Sequence, residues 1–403
     1  MRSKRWMLTL ALAACGLAAL LAGPALAMPP KPPPPPPQPP VTYRLTWVDV
    51  DPVGLGVDMN DSGVMVGYDW NSPDGRPRAF LYTTERGVID LNTLIPAGDP
   101  NGDVYLESAS GINNSGQVVG GGSRYENGKR KYVAFRFTPG KALELLQPNP
   151  NEFSFAEARG VNDNGEVVLN ARLVADPNVS EVLVYDSNCN WIRTGVSGNP
   201  TRINNHTQVI GSGVKLPDGL YAFRWSPTEP VEYFGSLIGK QHPSYYNNFA
   251  DDINDSGQFV GSGLVTFKNL GEYHAYRYTD GVGMQDLGTL GGNTSGAGGI
   301  NELGHVVGYS VLKPTWRGYP YRGFLFTDAA GMWNLDDLVV NKDPDWLAAT
   351  GIDPRRISTP RVADGSIDEN GFGQICGVGV FANDSGPNGY RKVFLLTPVP
   401  AGN

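Results

Sequence analysis

Residues 253–261 read INDSGQFVG, a stretch that crowds Asn, Asp, Ser and two Gly around a short apolar run. Such a stretch is either a polar site or a tight turn. Six further stretches align with it, and the last of them keeps only the Asn, both Gly and the Gln in register. They are MNDSGVMVG (59–67), INNSGQVVG (112–120), VNDNGEVVL (161–169), INNHTQVIG (203–211), INELGHVVG (300–308) and ENGFGQICG (369–377). We call all seven the signature segments.

The signature segments recur along most of the chain. Successive copies of their first Asn are 42 to 69 residues apart. These residues are Asn60, Asn113, Asn162, Asn204, Asn254, Asn301 and Asn370. A period in this range indicates an array of one supersecondary unit. We therefore number seven repeat units, one for each signature segment.

Each unit contains four short runs with the patterning of β-strands. In the fifth unit FADDIN and GQFVGSGLV flank the signature turn, HAYRYTD alternates aromatic residues, and GVGMQDLGTL ends the unit. Runs with a period of two, bounded by Gly, Asn and Asp, are typical of strands. Four strands per unit indicate the blade of a β-propeller. The sequence predicts an all-β fold, a β-propeller of seven four-stranded blades over residues 43–398, with a tail at 399–403.

The two ends of the chain are predicted to meet in the last blade. The seventh unit ends with KVFLLTP (392–398) and has no fourth strand, whereas YRLTWVDV (43–50) has strand character and no preceding partner. We expect the N-terminal strand to complete the seventh blade, which removes an open sheet edge. ATGID (349–353) resembles the start of another repeat, so an eighth partial unit stays open.

The sequence resembles the HAF repeat family, named for a His-Ala-Phe tripeptide. The segment HAYRYTDGVGMQDLGTLGGNTSGAGGINELGHVVG (274–308) carries the likeness, with His-Ala-Tyr in place of the tripeptide, an acidic-Leu-Gly-Thr-Leu-Gly-Gly run and the signature. RAFLY, VAFRF and YAFRW keep Ala-Phe but lose the His, and one unit alone has the full DLGTLGG. The resemblance implies an extracellular, propeller-like protein and no established common reaction.

The N-terminus has the layout of a secretory signal peptide over residues 1–27. Three basic residues precede an apolar run, and PALA (24–27) fits a small-residue cleavage site. LAAC (12–15) also resembles a lipoprotein signal that would place a lipid anchor at Cys15, but the residues after Cys15 stay apolar, which favours simple secretion. A proline-rich linker (28–42) follows, and its prolines predict an extended polyproline II spacer.

The net charge of the chain indicates which classes of partner it does not attract. The net charge is −8, and removing the leader takes away Arg2, Lys4 and Arg5, which makes it −11. We expect no binding to nucleic acid or to anionic lipid through the overall field. No second apolar run has the length of a membrane span. The sequence predicts a secreted monomer, with a lipoprotein anchored to the bacterial envelope as the alternative location.

The signature segment is predicted to be a hairpin turn and not a metal loop. A Ca²⁺ loop needs oxygen ligands at alternating positions and a bidentate acid, which the segment lacks. A turn explains the Asn, which bonds its own backbone, and the Gly, which takes a positive φ. Thr207 replaces this Gly, which predicts a distorted turn in the fourth unit. A weaker Ca²⁺ candidate is DPNGDVYLE, with Asp99, Asn101, Asp103 and Glu107; no other cofactor is predicted.

Catalytic motifs are absent from the sequence. The four His residues come with no nucleophile elbow and no paired zinc spacing. Cys376 lies on an apolar strand and is predicted to be a core residue, unpaired with Cys189. The enzyme alternative is a propeller hydrolase or lyase acting on a glycan in the central funnel. It requires two or more carboxylates, or a His, to converge at the mouth of that funnel, and the candidates are Asp252, Glu302 and Asp364.

The loops opposite the signature turns vary most between units and are predicted to form the ligand-binding face. They carry aromatic residues with Arg nearby, a combination that suits stacking on sugar rings or anchoring a protein. The candidates are Trp70, Arg76, Tyr125, Tyr221, Tyr273, Trp316, Arg317, Tyr319 and Tyr390. The predicted function is non-catalytic binding of an extracellular polysaccharide or a surface protein. A purely structural envelope protein is the third alternative, favoured if this face is flat and uncharged.

Overall fold

Short antiparallel strands joined by tight turns make up the described chain in this computed structural model. The structure describes residues 39–48, 50, 58–69, 75–215, 219–238, 248–266, 272–313, 321–341, 361–362, 372–381 and 390–399. Residues Pro39–Asn403 form one compact unit. The predicted signal peptide, most of the proline-rich linker, Asn370 and the ATGID segment lie outside the described residues.

The strands are mostly five to nine residues long and are numbered in chain order. They are β1 (Tyr43–Val48), β2 (Asp58–Met59), β3 (Met65–Asp69), β4 (Arg78–Thr83), β5 (Gly87–Asp90), β6 (Tyr105–Ile112), β7 (Val118–Glu126), β8 (Lys129–Phe137), β9 (Glu144–Leu146), β10 (Phe153–Val161), β11 (Val167–Leu173), β12 (Ser180–Tyr185), β13 (Trp191–Ile203), β14 (Val209–Lys215), β15 (Gly219–Trp225), β16 (Glu232–Phe234), β17 (Asn248–Ile253), β18 (Phe259–Thr266), β19 (Glu272–Thr279), β20 (Gly283–Gly288), β21 (Gly291–Ile300), β22 (Val306–Leu312), β23 (Tyr321–Thr327), β24 (Gly331–Asn334), β25 (Arg361–Val362), β26 (Ile375–Phe381) and β27 (Tyr390–Pro398). The described helices are a 3₁₀ turn at Leu91–Leu94 and α1 at Leu335–Leu338.

A four-stranded antiparallel meander recurs along the chain. β2–β5, β6–β9, β17–β20 and β21–β24 each form one sheet in sequence order. A seven-stranded sheet contains β10–β16, where the first part of β13 pairs with β12 and its last part pairs with β14. The predicted all-β class is therefore confirmed, and the long strand β13 joins the third and fourth units.

The last sheet combines both ends of the chain, in the order β1, β27, β26, β25. β1 runs antiparallel to β27 with Tyr43 opposite Pro398 and Val48 opposite Val393. The Tyr43 and Val48 side chains are fully buried. The pairing places the first and last described strands of the chain side by side.

The signature segments form the turns between the first and second strands of the described units. In the fifth unit the Asn254 amide donates to the Gln258 carbonyl (3.0 Å), and the Gly257 amide donates to the Asn254 carbonyl (3.1 Å). Gly257 has a φ of +76°, a region that side chains with a Cβ rarely adopt.

The distorted turn predicted for the fourth unit is not observed, so that prediction was wrong. Thr207 adopts a φ of +59° and donates its amide to the Asn204 carbonyl at 3.0 Å, as the glycines do in the other units. Its hydroxyl also donates to Glu166 in the neighbouring turn at 2.8 Å. This bond offsets part of the cost of a left-handed conformation for a β-branched residue.

The apolar core lies between neighbouring sheets. Each described cluster combines residues of two units, such as Val119 and Leu169 from the second and third units. Another cluster joins Phe80 on β4 to Val378 on β26, from the first and seventh units. Cys376 is buried in that same cluster, as predicted.

Candidate functional site

The buried signature asparagines link each of the first five units to the next. The Oδ1 atom of each side chain accepts a hydrogen bond from the backbone N–H four residues later. In the fifth unit the Gln258 N–H donates to Asn254 Oδ1 at 2.9 Å. The Nδ2 atoms of these asparagines donate to the carbonyl of the next signature Asn. The pairs are Asn60 to Asn113 (3.1 Å), Asn113 to Asn162 (2.8 Å), Asn162 to Asn204 (2.9 Å), Asn204 to Asn254 (3.0 Å) and Asn254 to Asn301 (3.0 Å). We call this set the asparagine relay.

A second set of hydrogen bonds between units involves the residue that follows each signature Asn. The backbone N–H of this residue donates to the side chain of the equivalent residue in the next unit. The pairs are Asp61 to Asn114 (2.9 Å), Asn114 to Asp163 (2.8 Å), Asp163 to Asn205 (2.8 Å), Asn205 to Asp255 (2.8 Å) and Asp255 to Glu302 (2.6 Å). Acid and amide side chains alternate over the first five positions, and each amide donates to the carboxylates on both sides. The alternation limits repulsion between the carboxylates.

These turns surround a polar cavity of about 220 Å³. Arg202 lies in it, with its side chain 14% exposed, and pairs with Asp58 at 2.7 Å and with Asp252 at 3.5 Å. The same guanidinium donates to the carbonyls of Ser110 and Arg159 at 3.3 Å. One cation thus connects the first, second, third, fourth and fifth units.

Two of the three candidate carboxylates of the enzyme alternative, Asp252 and Glu302, line this cavity. Asp252 accepts the Ile300 amide (3.1 Å) and pairs with Arg202, and Glu302 accepts the Asp255 amide (2.6 Å). Burial raises the pKa of the Glu302 carboxyl, and the hydrogen bond from Asp255 opposes that rise. The third carboxylate, Asp364, lies outside the described residues. Both described carboxylates therefore hold neighbouring strands through backbone hydrogen bonds.

Most candidate residues of the predicted ligand-binding face pack against neighbouring side chains or lie outside the described residues. The Arg76 guanidinium stacks 4.1 Å from the centre of the Tyr105 ring. Tyr221 was expected to be exposed, but it is buried and packs edge-on against Tyr233. Tyr273 is half-buried beside Phe249. Trp70, Trp316, Arg317, Tyr319 and the side chain of Tyr390 are outside the described part of the chain.

Tyr125 is the candidate that is plainly exposed, with 65% of its surface accessible. It lies near the tip of the β7–β8 hairpin, whose two-residue turn is Asn127-Gly128 with φ values of +51° and +75°. Positive φ at both positions is the geometry of the tight hairpin turn that Asn-Gly favours. Tyr125 lies opposite Arg130, and Tyr132 follows two residues later on the same face.

The row of side chains continues into the third unit. Arg130 lies 4.5 Å from the centre of the Tyr132 ring, and Tyr132 meets Phe155 edge-on with ring centres 6.2 Å apart. Arg172, directly across from Phe155 on the neighbouring strand, has its guanidinium 5.3 Å from the Phe155 ring. Tyr132 is 51% exposed. We call these residues the tyrosine–arginine surface: Tyr125, Arg130, Tyr132, Phe155 and Arg172.

The two arginines of this surface differ in their ion pairs. Arg130 pairs with Glu107 and donates to Ser123, which fixes its guanidinium beside the Tyr132 ring. On the opposite face of the hairpin Arg124 and Lys131 both pair with Glu126. Arg172 is exposed and pairs with no carboxylate among the residues that the structure describes. The surface therefore presents one fixed guanidinium and one available for a ligand.

The residues of the weak calcium candidate are bonded to separate groups of the protein. The Asp99 carboxylate accepts the amides of Asn101 (2.8 Å) and Leu143 (2.6 Å). Asp103 is exposed, and Glu107 is the partner of Arg130 and Ser123. Within the described ranges no three His, Cys, Asp or Glu side chains are grouped as a metal site would require.

The His of the HAF-like segment pairs with the acid of the DLGTLGG run. His274 Nδ1 lies 2.9 Å from both carboxylate oxygens of Asp286, which also accepts the Gly288 amide at 2.8 Å. Burial works to raise the pKa of Asp286, but the bonds from His274 and Gly288 outweigh it and lower the pKa. This part of the motif ties β19 to β20.

Reasoning from the sequence did not identify Arg130, Tyr132, Phe155, Arg172 or Arg202 as site residues. A signal was present for the first two. The run SRYENGKRKY (123–132) has an Asn-Gly turn flanked by alternating residues, which places Tyr125, Arg130 and Tyr132 on one face. Phe155, Arg172 and Arg202 contact their partners across units, and no local pattern marks such contacts.

Comparisons with known proteins give distant structural likenesses. No protein-family model matches the chain. No curated protein matches it. Two crystal structures of puromycin hydrolase align over 82% and 84% of this chain with 10% and 12% identity and TM-scores of 0.41 and 0.42. This chain spans 59% and 50% of their lengths.

Two further structures align over a larger part of the chain. A protein of unknown function from Dyadobacter fermentans aligns over 89% of this chain and 98% of its own, with 11% identity and a TM-score of 0.36. Trypanosoma rangeli sialidase in complex with sialic acid aligns over 88% of this chain and 54% of its own, with 10% identity and a TM-score of 0.36. In the described part of this chain, no helix has the length and apolarity to cross a bilayer.

Proposed function

We propose that this chain is a secreted, non-catalytic binding module that recognises an extracellular polysaccharide through the tyrosine–arginine surface. The observation that carries the proposal is the row of aromatic rings and guanidinium groups on β7, β8, β10 and β11, in which Tyr125 and Tyr132 are exposed. Tyrosine offers a large, rigid contact area at low cost in side-chain entropy. Its ring faces match the apolar faces of sugar rings, and the guanidinium groups suit sugar oxygens.

We further propose that the scaffold is a β-propeller of seven four-stranded blades closed by β1. Two observations support this. The described apolar clusters join consecutive units, and one of them joins the first unit to the seventh. β1 also supplies the outer strand of the sheet that contains β25–β27. Closure of this kind protects edge strands that otherwise promote aggregation.

Membership of the HAF repeat family and secretion are parts of the same proposal. The signature segments and the His274–Asp286 pair support the family, and the N-terminal basic-apolar-small pattern supports secretion. Lipid attachment at Cys15 is the alternative that would keep the module on the bacterial envelope. We propose that the folded part acts as a monomer.

The cavity chemistry favours binding over catalysis. A general acid and base must reach the substrate with at least one free carboxyl oxygen each. Asp58 and Asp252 face Arg202, and Asp252 and Glu302 accept backbone amides of neighbouring units. These bonds give the three carboxylates a structural role, which is to connect neighbouring units. The charged groups of the tyrosine–arginine surface also favour a binding role over a purely structural envelope protein.

The test is a binding screen against extracellular polysaccharides with the full chain and two variants. Wild type should be retarded in gels that contain a recognised polysaccharide, and the double variant Tyr125→Ala/Tyr132→Ala should bind at least about tenfold more weakly, because both stacking faces are lost. Val282→Ala is the control, since it removes an exposed apolar side chain from another turn. Equal binding by the double variant and wild type would contradict the proposal.

The same samples separate binding from catalysis. We expect no release of reducing ends or unsaturated products from a bound polysaccharide. Release that disappears in Asp252→Asn, with binding intact, would instead support the hydrolase or lyase alternative. A surface protein is the alternative partner, because exposed Tyr and Arg also anchor protein interfaces. In that case the polysaccharide screen would be empty while the double variant still lost attachment to the producing cell's surface.

A further inference from the structure

The tyrosine–arginine surface lies on a basic hairpin in an acidic chain. Residues 123–132 contain Arg124, Lys129, Arg130 and Lys131 and one acid, Glu126, whereas the whole chain has a net charge of −8. The hairpin tip projects this local positive charge beside two exposed tyrosines. A local field of this sign attracts an anionic ligand, while the rest of the surface repels it.

One cation at this surface is available for such a ligand. Arg172 is exposed and pairs with no carboxylate within the part of the chain that the structure describes. The Phe155 ring supports the Arg172 guanidinium at 5.3 Å, which limits its motion. A planar guanidinium with free donors binds a carboxylate through two parallel hydrogen bonds.

The shape of the surface favours a chain over a small molecule. Arg130, Tyr132, Phe155 and Arg172 follow one another at separations of 4.5, 6.2 and 5.3 Å and form an open row. A cation stands at each end of the row with aromatic rings between them. A ligand that fits has apolar ring faces and negative charges repeated along its length.

We infer that the ligand is a polysaccharide that carries carboxylates, a polyuronate. This rests on the proposed function, because it names the chemical class bound at the same surface. The sugar rings stack on Tyr132 and Phe155, and a carboxylate of the chain pairs with Arg172. The aromatic rings alone would accept neutral polysaccharides, so the charge preference is a separate claim.

Two polymers with the same backbone test the charge preference. Polygalacturonate carries a carboxylate on each sugar, and its methyl ester has these charges masked. Wild type should bind polygalacturonate at least about tenfold more tightly than the ester, and raising NaCl from about 0.05 M to about 0.5 M should weaken that binding. Arg172→Ala should weaken binding to polygalacturonate about tenfold and leave binding to the ester unchanged. Arg86→Ala, which removes an exposed guanidinium from the β4–β5 turn, is the matched control and should bind like wild type.

The outcomes distinguish the two levels of the proposal. Equal affinity for both polymers, with loss of binding in Tyr125→Ala/Tyr132→Ala, would overturn the polyuronate inference and keep the glycan-binding function. Loss of binding to both polymers in Arg172→Ala would show that Arg172 contributes to binding whether or not the polymer carries carboxylates. That result also overturns the inference. Tighter binding to single-stranded oligothymidylate than to polygalacturonate would point to a nucleic acid, since basic aromatic surfaces also stack bases, and would overturn both levels.

Discussion

Breaking the asparagine relay at one position should destabilise the fold far more than an ordinary Asn substitution. Asn254 is buried in the turn between β17 and β18. Its Oδ1 accepts the Gln258 amide at 2.9 Å, and its Nδ2 donates to the Asn301 carbonyl at 3.0 Å and to the Gln258 side chain at 3.1 Å. Asn254→Ala removes all three bonds and leaves a buried amide and a buried carbonyl without these partners.

The expected loss follows from those bonds. An intramolecular hydrogen bond contributes about 1 kcal/mol net, and a buried group left unsatisfied costs about 1–3 kcal/mol. Water that reaches the exposed side of the turn forms hydrogen bonds with some of the freed groups and recovers part of the lost free energy. We therefore expect Asn254→Ala to lower the free energy of unfolding by about 3 kcal/mol. Asn254→Asp should also destabilise at pH 7, because it keeps the acceptor but sets a carboxylate against the Asn301 carbonyl.

Urea unfolding followed by tryptophan fluorescence measures this loss. The comparison uses midpoints at a common slope, because a repeat array can unfold in more than one step. Asn151→Ala is the matched control, since Asn151 lies exposed in a turn and should change stability by less than about 0.5 kcal/mol. A loss for Asn254→Ala no larger than that of the control would refute the view that the relay holds the units together.

Three further predictions concern the cavity and the closing strand. Arg202→Met should cost about 3 kcal/mol at pH 7, because it leaves Asp58 and Asp252 without their cation; the urea midpoint, compared with that of wild type, checks this. Glu302 has a raised pKa when folded, so its ionisation costs stability as the pH rises through that value; Glu302→Gln should raise the Tm at pH 7 and not at pH 3 in a thermal scan. Tyr43→Ala should cost about 4 kcal/mol, because it empties a fully buried site on β1, and a Tm like that of wild type would contradict the role of β1 in closing the scaffold.

The repeat architecture is readable from the sequence because its determinants are local. The spacing of the signature Asn residues, the alternation in HAYRYTD and the strand character of residues 43–50 each report on a short stretch of backbone. The same local reasoning failed for Thr207, where a contact with Glu166 of another unit supports a conformation that threonine otherwise avoids.

The candidate site was only partly predictable for the same reason. Tyr125 was identified from its loop, and it is exposed. Tyr221 has a similar sequence context but is buried against Tyr233, and burial of that kind depends on the neighbouring strand. The signature segments were predicted to be hairpin turns, yet no local pattern reveals that Arg202 beside them reaches Asp58, 144 residues away in sequence.

Hydrogen exchange with bound polysaccharide tests the central claim most directly, because it reports every part of the chain at once. With polygalacturonate present at saturation, we expect slower amide exchange in the β7–β8 hairpin and at the start of β10 and the end of β11. The signature turns around Arg202 should exchange at the same rate with and without the polymer. Protection centred on those turns, with no change in the hairpin, would contradict the account and move the binding site to the central cavity.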